Sequence, residues 1–375
     1  MNKIQAVIVA DSIDPRGNRI TSFLLTVPQI VVKELLRHRM FSFSSSSMRA
    51  IPFNKVLQDT KENMFVPIAF QSHHSGMQGT SYLTGKEAED AKTQWVQSGL
   101  KACEEAEKLY NLGVTKQMCS RIIEPFGYAK ILVTATEWEN FFELRCPKFD
   151  YLGQKLYKSR KDAIKETNAS LPYDDWYSWQ KMNKSQAEIH IQALAESMWD
   201  ALNESTPKEL KAGEWYIPFS AKIEEDKLSK LMPTMQPASL NWYLENFNAL
   251  KLKVCISRAA RLSYSTHDGE IDYEKDIKLH DQLLKDKHFS PFENVARVAT
   301  DEEYYTHMKG KVPFGGIDKG YGIINYEYYP LAFENTDETF GMPPGENKDN
   351  GNVYGWFNNF RGFIPYRYLI ENEKI

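Results

Sequence analysis

The residues with the clearest chemical potential lie in one short stretch, RHRMFSFSSSSMR at 37–49. It places Arg37, His38 and Arg39 side by side and ends in Arg49, with a run of serines between them. Guanidinium groups pair bidentately with phosphate oxygens, and serine hydroxyls together with loop amides complete such a shell. The stretch therefore has the composition of an anion-binding segment with room for more than one phosphate. Composition alone leaves two plainer alternatives open, namely cations favoured by the dipole at a helix C-terminus and a solvated serine loop.

The spacing from RHR to Ser47 and Arg49 resembles the signature of a known enzyme family, the flavin-dependent thymidylate synthases. Further segments resemble other parts of that family: VTKQMCSRIIEP at 114–125, TEWENFFELR at 136–145, SQAEIHIQALAESM at 185–198, AARLSYSTHDG at 259–269 and HFSPFEN at 288–294. GEWYIP at 213–218 and NFRGFIPYR at 359–367 resemble a longer, virus-associated branch of it.

The order of these segments differs from the usual order of the family. Segments like 259–269 and 288–294 usually precede RHR, whereas here they lie near the C-terminus. The chain is therefore expected to be circularly permuted, which is tolerated when the original termini lie close together at the surface. The resemblance implies an α+β fold, with a mixed sheet flanked by helices in one catalytic domain. Its expected parts are a core at 1–146 and 184–220, an insertion at 147–183, a connector at 221–250, a permuted core segment at 251–299 and an irregular C-terminal extension at 300–375.

The resemblance also implies a reaction, the methylation of dUMP to dTMP without an enzyme nucleophile. In the family, FAD is reduced by NADPH, and the methylene of methylenetetrahydrofolate passes to C5 of dUMP. The flavin then supplies the reducing equivalent that completes the methyl group. The cofactor carries the difficult chemistry, while the protein orients and polarises. The family further implies a homotetramer in which FAD lies between subunits.

Site residues follow from the resemblance by their positions in its motifs. The residues expected to contact FAD are Arg37, His38, Arg39, Asn140, His288, Ser290 and Glu293. The residues expected to hold dUMP are Glu34, Ser47, Arg49, Arg121 and Arg145. Arg145 and Ser47 are the expected catalytic residues, because a cation beside the uracil stabilises negative charge as C5 becomes nucleophilic. Plainer alternatives are a surface helix charge at Arg121, a helix C-terminal cation at Arg145, a loop histidine at His288 and a surface polar residue at Asn140.

Several positions depart from the family pattern. Ser44-Ser45 stands where Asn-Glu is usual, which removes a carboxylate contact to the nucleotide, and Glu34 stands where a glutamine is usual. The remaining departures are Ala50 for tyrosine, Asn294 for histidine and Lys184 near another usual histidine. Two alternative functions therefore stay open. One is a dUMP hydroxymethylase, in which water attacks the methylene intermediate before reduction, and the other is a non-catalytic flavin- or nucleotide-binding homologue.

Composition argues against other classes of protein. The net charge of −4 opposes a nucleic-acid partner, since binding through phosphates usually requires a basic surplus. The cysteines form no CxxC pair, which predicts neither structural zinc nor a disulfide scaffold. Cys146-Pro147 does not resemble the surroundings of the nucleophile in cysteine-dependent thymidylate synthases. We expect no metal, no membrane span and a cytoplasmic location, within a host cell if the protein is of viral origin.

The elements that must position these residues can be read from periodicity and capping residues. Strands are predicted at 4–10, 19–27 and 129–135, where β-branched residues are frequent. Apolar periodicity predicts helices at 86–111, 185–203 and 272–286. Thr115 is expected to cap a helix that ends at Pro125, and Thr136 with Glu139 to form a capping box for a helix through Arg145. Residues 41–50 are expected to form a polar segment.

Overall fold

A computed structural model describes residues 3–75, 81–153, 155–168, 170–232, 240–262, 272–306, 317–318, 322–323 and 354–372. The strands are β1 Gln5–Ile13, β2 Arg19–Pro28, β3 Ser42–Ser45, β4 Tyr128–Ala135, β5 Lys208–Glu209, β6 Trp215–Tyr216, β7 Ala296–Val298, β8 Ile317–Asp318, β9 Gly322–Ile323, β10 Trp356–Phe357, β11 Phe360–Arg361 and β12 Phe363–Pro365. The α-helices are α1 Val32–Leu35, α2 Phe53–Glu62, α3 Gly85–Asn111, α4 Lys116–Ile123, α5 Glu139–Arg145, α6 Arg160–Thr167, α7 Trp176–Lys181, α8 Ile189–Glu204, α9 Glu225–Ser229, α10 Leu240–Arg261, α11 Tyr273–Lys285, α12 Asp301–Thr306 and α13 Tyr366–Glu371. Short 3-10 turns occupy Gln29–Val31, Glu124–Phe126, Ser220–Lys222 and Ser290–Asn294.

The main sheet has five strands in the order β3-β4-β2-β1-β5. Its neighbours are antiparallel except for β5, which runs parallel to β1, so the sheet is mixed. The predicted strands of the β-branched segments are confirmed as β1, β2 and β4. The strand β3 was not foreseen, because serine has no strong preference for strands. Its extended form depends on pairing with β4, from Ser42 opposite Thr134 to Ser45 opposite Ile131.

Helices cover both faces of this sheet. Successive side chains of a strand point to opposite faces. Ile131 and Val133 of β4 accordingly face α5 and α8, while Leu132 between them packs with Ala259 of α10 on the other side. The expected α+β fold, a mixed sheet flanked by helices, is therefore confirmed.

Helices α2, α3 and α4 form a separate packed group beside β4. Phe53, Cys103, Cys119 and Ile123 are all buried in its core. The predicted cap of α4 is present, since the side chain of Thr115 accepts a hydrogen bond from the backbone N–H of residue 117. Because Cys119 and Ile123 anchor one side of α4, the other side of this helix is left to line the site described below.

The segments expected to be permuted in order meet the rest of the chain in space. The 3-10 turn Ser290–Asn294 packs on β3, and β6, β7 and β12 form a small antiparallel sheet. That sheet joins GEWYIP, residues 296–298 and NFRGFIPYR. Residues 263–269, which belong to another of these segments, lie outside the described part of the chain.

Other features also differ from the sequence-based expectations. Helix α10 begins at Leu240, inside the predicted connector, and 354–372 forms strands and α13 where an irregular extension was expected. The capping box at Thr136 is wrong, since α5 begins at Glu139 without a side-chain cap. The Thr136 hydroxyl instead accepts from the backbone N–H of Arg361 at 3.1 Å, because the distant C-terminal segment folds against it.

Candidate functional site

The turn after β3 and one side of helix α4 form the walls of a cavity of about 200 Å³. The lining residues are Gln29, Val32, Ser45, Ser46, Ser47, Met48, Arg49, Gln117, Ser120, Arg121 and Glu124. Residues three and four apart on a helix lie on one side of it, which brings Gln117, Ser120 and Arg121 together. Glu124 follows in the 3-10 turn after α4. Three of the predicted nucleotide-binding residues, Ser47, Arg49 and Arg121, thus share one cavity.

The polar groups of this cavity are only partly satisfied by the protein. Arg49 Nη2 donates to Gln117 Oε1 at 3.3 Å. Arg121 is exposed, and within the described residues its guanidinium has no hydrogen-bond or ion-pair partner. The hydroxyl of Ser120 is buried and also lacks a partner there. A buried hydroxyl without a partner costs about 1–3 kcal/mol, so this group is available to a ligand.

A second group of predicted residues meets around Arg145 at the end of α5. Arg145 Nε donates to Nε2 of His38 at 3.2 Å, and Arg145 Nη1 lies 3.4 Å from the Glu34 carboxylate. His38 lies 4.9 Å from the ring of Phe141, centroid to centroid, and 5.7 Å from that of Phe41. Arg145 is therefore held from two sides, and its orientation is fixed by an acceptor ring and a carboxylate.

Burial shifts the pKa of both partners of Arg145. Burial and the adjacent Arg145 charge lower the pKa of His38 to about 4, so the ring is neutral at pH 7. Its Nε2 accepts from Arg145, and the proton of the neutral ring therefore resides on Nδ1. Burial, with the nearby Glu188 charge, raises the pKa of Glu34, while Arg145 acts in the opposite direction.

Glu188 and His190, which the sequence analysis did not assign, lie at the start of α8 and act electrostatically on Glu34. Glu188 caps the helix by accepting from the backbone N–H groups of His190 and Ile191, and its other oxygen contacts His190 Nδ1. His190 is 3% exposed, and its Nε2 accepts from the backbone N–H of Ile68 at 3.0 Å. Glutamate is not among the preferred N-cap residues, so the capping rules do not single out Glu188.

The residues predicted from the C-terminal segment are placed differently from one another. Ser290 Oγ donates to the Phe43 carbonyl of β3 at 3.4 Å, which brings it to the RHR segment. Glu293 forms an ion pair with Arg367, and His288 is exposed. Within the described residues, neither Glu293 nor His288 has a recorded contact with the Arg145 group.

The other predicted flavin contacts are at the surface of the single chain. Arg37 and Arg39 lie exposed on the turn after α1, on either side of His38. Asn140 is exposed in the first turn of α5. The roles expected of these residues stay predictions, because they require a ligand or a second subunit.

Two of the departures from the family pattern contact each other. Asn294, which is fully buried, donates from Nδ2 to Ser44 Oγ at 2.9 Å and accepts from Thr134 Oγ1 at 3.0 Å. Ser44 is therefore turned towards the C-terminal segment, whereas its neighbour Ser45 lines the cavity. The residues at positions 44 and 294, which both depart from the family pattern, thus pack against each other.

The described residues contain no group of three or more His, Cys, Asp or Glu side chains able to hold a metal ion. No helix among them combines the length and the apolar character needed to cross a bilayer.

Comparison with known proteins places this geometry in a family. The model of the family described as thymidylate synthase complementing protein matches residues 20–208, which include β2, the cavity and the Arg145 group. The chain belongs to this family, the flavin-dependent thymidylate synthases. The match to this flavin-dependent thymidylate synthase family ends before the segments at 259–269 and 288–294, so the permuted order stays a prediction.

Two solved structures are similar to this member of the family. One is a UMP/dUMP methylase PolB from Streptomyces cacaoi bound with 5-Br UMP, at 18% identity and a TM-score of 0.36, covering 54% of this chain and 90% of that chain. Another is the same methylase bound with 5-Br dUMP, at 16% identity and a TM-score of 0.34, covering 50% of this chain and 66% of that one. Among curated proteins, none matches the sequence.

Proposed function

We propose that this protein methylates dUMP to dTMP, with FAD as cofactor, methylenetetrahydrofolate as carbon donor and NADPH as reductant. Membership in the flavin-dependent thymidylate synthases supports a dUMP-modifying enzyme. The observation that carries the proposal is the cavity in which Ser47, Arg49, Arg121 and the unpartnered hydroxyl of Ser120 converge.

The chemistry of the cavity suits a nucleotide phosphate. A phosphate monoester accepts hydrogen bonds and is close to dianionic at neutral pH. Two guanidinium groups without carboxylate partners among the described residues supply charge-assisted donors, and the hydroxyls of Ser47 and Ser120 add neutral ones. The phosphate would therefore take up donors that the protein leaves unused.

Arg145 has the features required of the group that polarises the uracil. Its guanidinium is less than one-fifth exposed and is held by His38 and Glu34 before any ligand arrives. Preorganised charge of this kind stabilises negative charge that develops in a transition state without reorganisation at that moment. We assign Arg145 to the carbonyl and N3 region of dUMP, where it stabilises charge as C5 becomes nucleophilic. Ser47 is assigned to orient the same nucleotide from the cavity.

The chain also offers groups that fit FAD. Arg37 and Arg39 present two exposed guanidinium groups on one turn, and Arg39 has no recorded partner within the described residues. Such forks suit the two phosphates of a dinucleotide. The neutral ring of His38 lies between them, and Asn140, His288, Ser290 and Glu293 are assigned to the same cofactor. When bound, FAD would supply the redox chemistry, while these residues hold and orient it.

The cysteines do not suit the alternative of a thiolate nucleophile. All four are buried. Burial raises the pKa of Cys146 well above its usual range and that of Cys255 to about 12. A thiol attacks as the thiolate, so these groups are poorly suited to attack a pyrimidine at neutral pH. This supports a mechanism that needs no enzyme nucleophile.

Mass spectrometry of the nucleotide after incubation with dUMP, methylenetetrahydrofolate, NADPH and FAD tests the proposal. We expect a mass gain equal to one methylene unit, CH₂, which corresponds to dTMP. A gain of CH₂O would instead identify 5-hydroxymethyl-dUMP and the hydroxymethylase alternative. Unchanged dUMP, with flavin and nucleotide both bound, would identify a non-catalytic homologue. A homotetramer stays an expectation, which light scattering of the flavin-loaded protein would check.

A further inference from the structure

Glu124 stands out among the residues that line the cavity, because a carboxylate opposes the binding of a phosphate. It follows α4 in the 3-10 turn Glu124–Phe126, three positions after Arg121. Its backbone carbonyl accepts from the N–H of Gly127. Within the described residues its carboxylate has no hydrogen-bond or ion-pair partner, although Arg121 and Arg49 line the same cavity. The cavity therefore offers an anion several hydrogen-bond donors. It also contains a carboxylate, which an anion without a hydrogen-bond donor cannot use as a partner.

A ligand that satisfies both kinds of group must carry a phosphate and a hydroxyl donor a few bonds apart. We propose that Glu124 accepts a hydrogen bond from the 3′-hydroxyl of the deoxyribose and so selects nucleoside monophosphates over other phosphate esters. This inference rests on the proposed function, since it places the sugar of dUMP in the cavity. Ser45 stands where the family usually has a glutamate and also lines the cavity, but it supplies no charge that could do the same.

The charge of Glu124 is expected to weaken the binding of a phosphate group and to strengthen the binding of a sugar hydroxyl. Its negative charge repels a free phosphate ion, whereas it gains a charge-assisted hydrogen bond from a sugar hydroxyl. Removal of the charge should therefore strengthen the binding of inorganic phosphate and reduce the preference for dUMP over an analogue without the 3′-hydroxyl. A purely structural role would leave that preference unchanged.

Isothermal titration of the flavin-loaded protein with dUMP, 2′,3′-dideoxyuridine monophosphate and inorganic phosphate tests this inference. For the unaltered protein, we expect dUMP to bind about 10-fold more tightly than the dideoxy nucleotide, as for a hydrogen bond to a charged group. In Glu124→Ala the two nucleotides should bind equally, and in Glu124→Gln their ratio should fall to about 3, since the neutral amide oxygen still accepts. Both variants should bind phosphate more tightly. Glu87→Gln, on an exposed part of α3 outside the cavity lining, is the matched control and should change none of these values.

The outcomes separate this inference from the proposed function. Equal affinity of the unaltered protein for the two nucleotides, or an unchanged ratio in Glu124→Ala, would overturn the role of Glu124 and leave dUMP binding intact. Arg121→Ala tests the cavity itself and should weaken all three ligands together. If the unaltered protein binds neither nucleotide, the proposed function and this inference are both wrong.

Discussion

Replacement of Asn294 by alanine tests how the C-terminal segment is joined to the sheet. The Asn294 amide is fully buried and bridges Ser44 Oγ at 2.9 Å and Thr134 Oγ1 at 3.0 Å. Thr134 also contacts Ser22 Oγ at 2.6 Å, and Tyr216 OH donates to Ser22 Oγ at 2.7 Å. Because Thr134 donates to Asn294, Ser22 must be the donor to Thr134. One directed chain of hydrogen bonds therefore runs from Tyr216 through Ser22 and Thr134 to Asn294 Oδ1.

The expected cost follows from the groups that lose their partner. Asn294→Ala leaves the Ser44 hydroxyl without its donor and the Thr134 hydroxyl without its acceptor, both in the interior. Each buried polar group left unsatisfied costs about 1–3 kcal/mol, and Thr134 keeps Ser22, so its share lies at the lower end. We expect the free energy of unfolding to fall by about 3 kcal/mol in urea titrations. Asn372→Ala, in which an exposed amide at the C-cap of α13 is removed, should cost less than about 0.5 kcal/mol.

A double-mutant cycle isolates the contact between the two segments. Ser44→Ala removes the other partner, so Ser44→Ala and Asn294→Ala together should destabilise less than the sum of the two, by about 1 kcal/mol. Because Ser290 and Glu293 lie in the turn that ends at Asn294, flavin affinity should fall with the stability. Additive energies, or a change below about 0.5 kcal/mol for Asn294→Ala, would refute the view that this amide fixes the C-terminal segment on β3.

Four further outcomes are expected. Arg145→Ala should abolish product formation while flavin absorbance is retained, because the site loses its preorganised cation, and normal turnover would contradict that role. Arg37→Ala combined with His38→Ala should release FAD, and an unchanged ratio of flavin to protein would exclude these residues as its ligands. The pKa of His38 is lowered from 6.5 to about 4 in the folded protein, so the unfolded chain binds more protons than the folded one between these pH values. The contribution of neutral His38 to the free energy of unfolding is therefore present above pH 6.5 and is lost as the pH falls towards 4. Urea titrations at pH 7 and 5 should show this loss, and His38→Asn should reduce it. Cys146→Ser should retain turnover in the product assay, since its thiol is buried and protonated, and loss of activity with an intact fold would revive a thiolate mechanism.

Local sequence patterns correctly predicted helices and a cap that depend on interactions between residues close together in the chain. The apolar periodicity of α3 and the Thr115 cap of α4 are both present, because helix periodicity and capping depend on neighbours a few residues away. The strand β3 and the true partner of Thr136 were missed, since each depends on a contact with residues far along the chain. Propensity and capping rules contain no information about such partners.

The residues of the candidate site were likewise predicted only in part. Motif spacing named Arg49 and Arg121, and the structure places them in one cavity. Ser120 and Glu124 were missed, although Ser120 precedes Arg121 on α4 and Glu124 follows it in the next turn. These two residues matter because their side chains have no hydrogen-bond partner among the described residues. Only the folded structure shows that a hydroxyl or a carboxylate is unpaired. The contact between Ser44 and Asn294 was hidden for a related reason, because the two departures are distant in sequence.

The arginines of the site differ in their partners, and this difference suits different tasks. Arg145 is paired with Glu34 and His38 and is mostly buried, so its position is fixed before a ligand binds. Arg49 and Arg121 have no carboxylate partner among the described residues. A phosphate can therefore bind to this pair without displacing an internal ion pair, and its binding energy is not spent on breaking one. A group that must polarise a ring needs a fixed orientation, since small misplacements of a catalytic charge cost much of its effect. In the function proposed above, the ion pair of Arg145 would supply that orientation. Arg49 and Arg121, which have no carboxylate partner among the described residues, would supply affinity for the phosphate of dUMP.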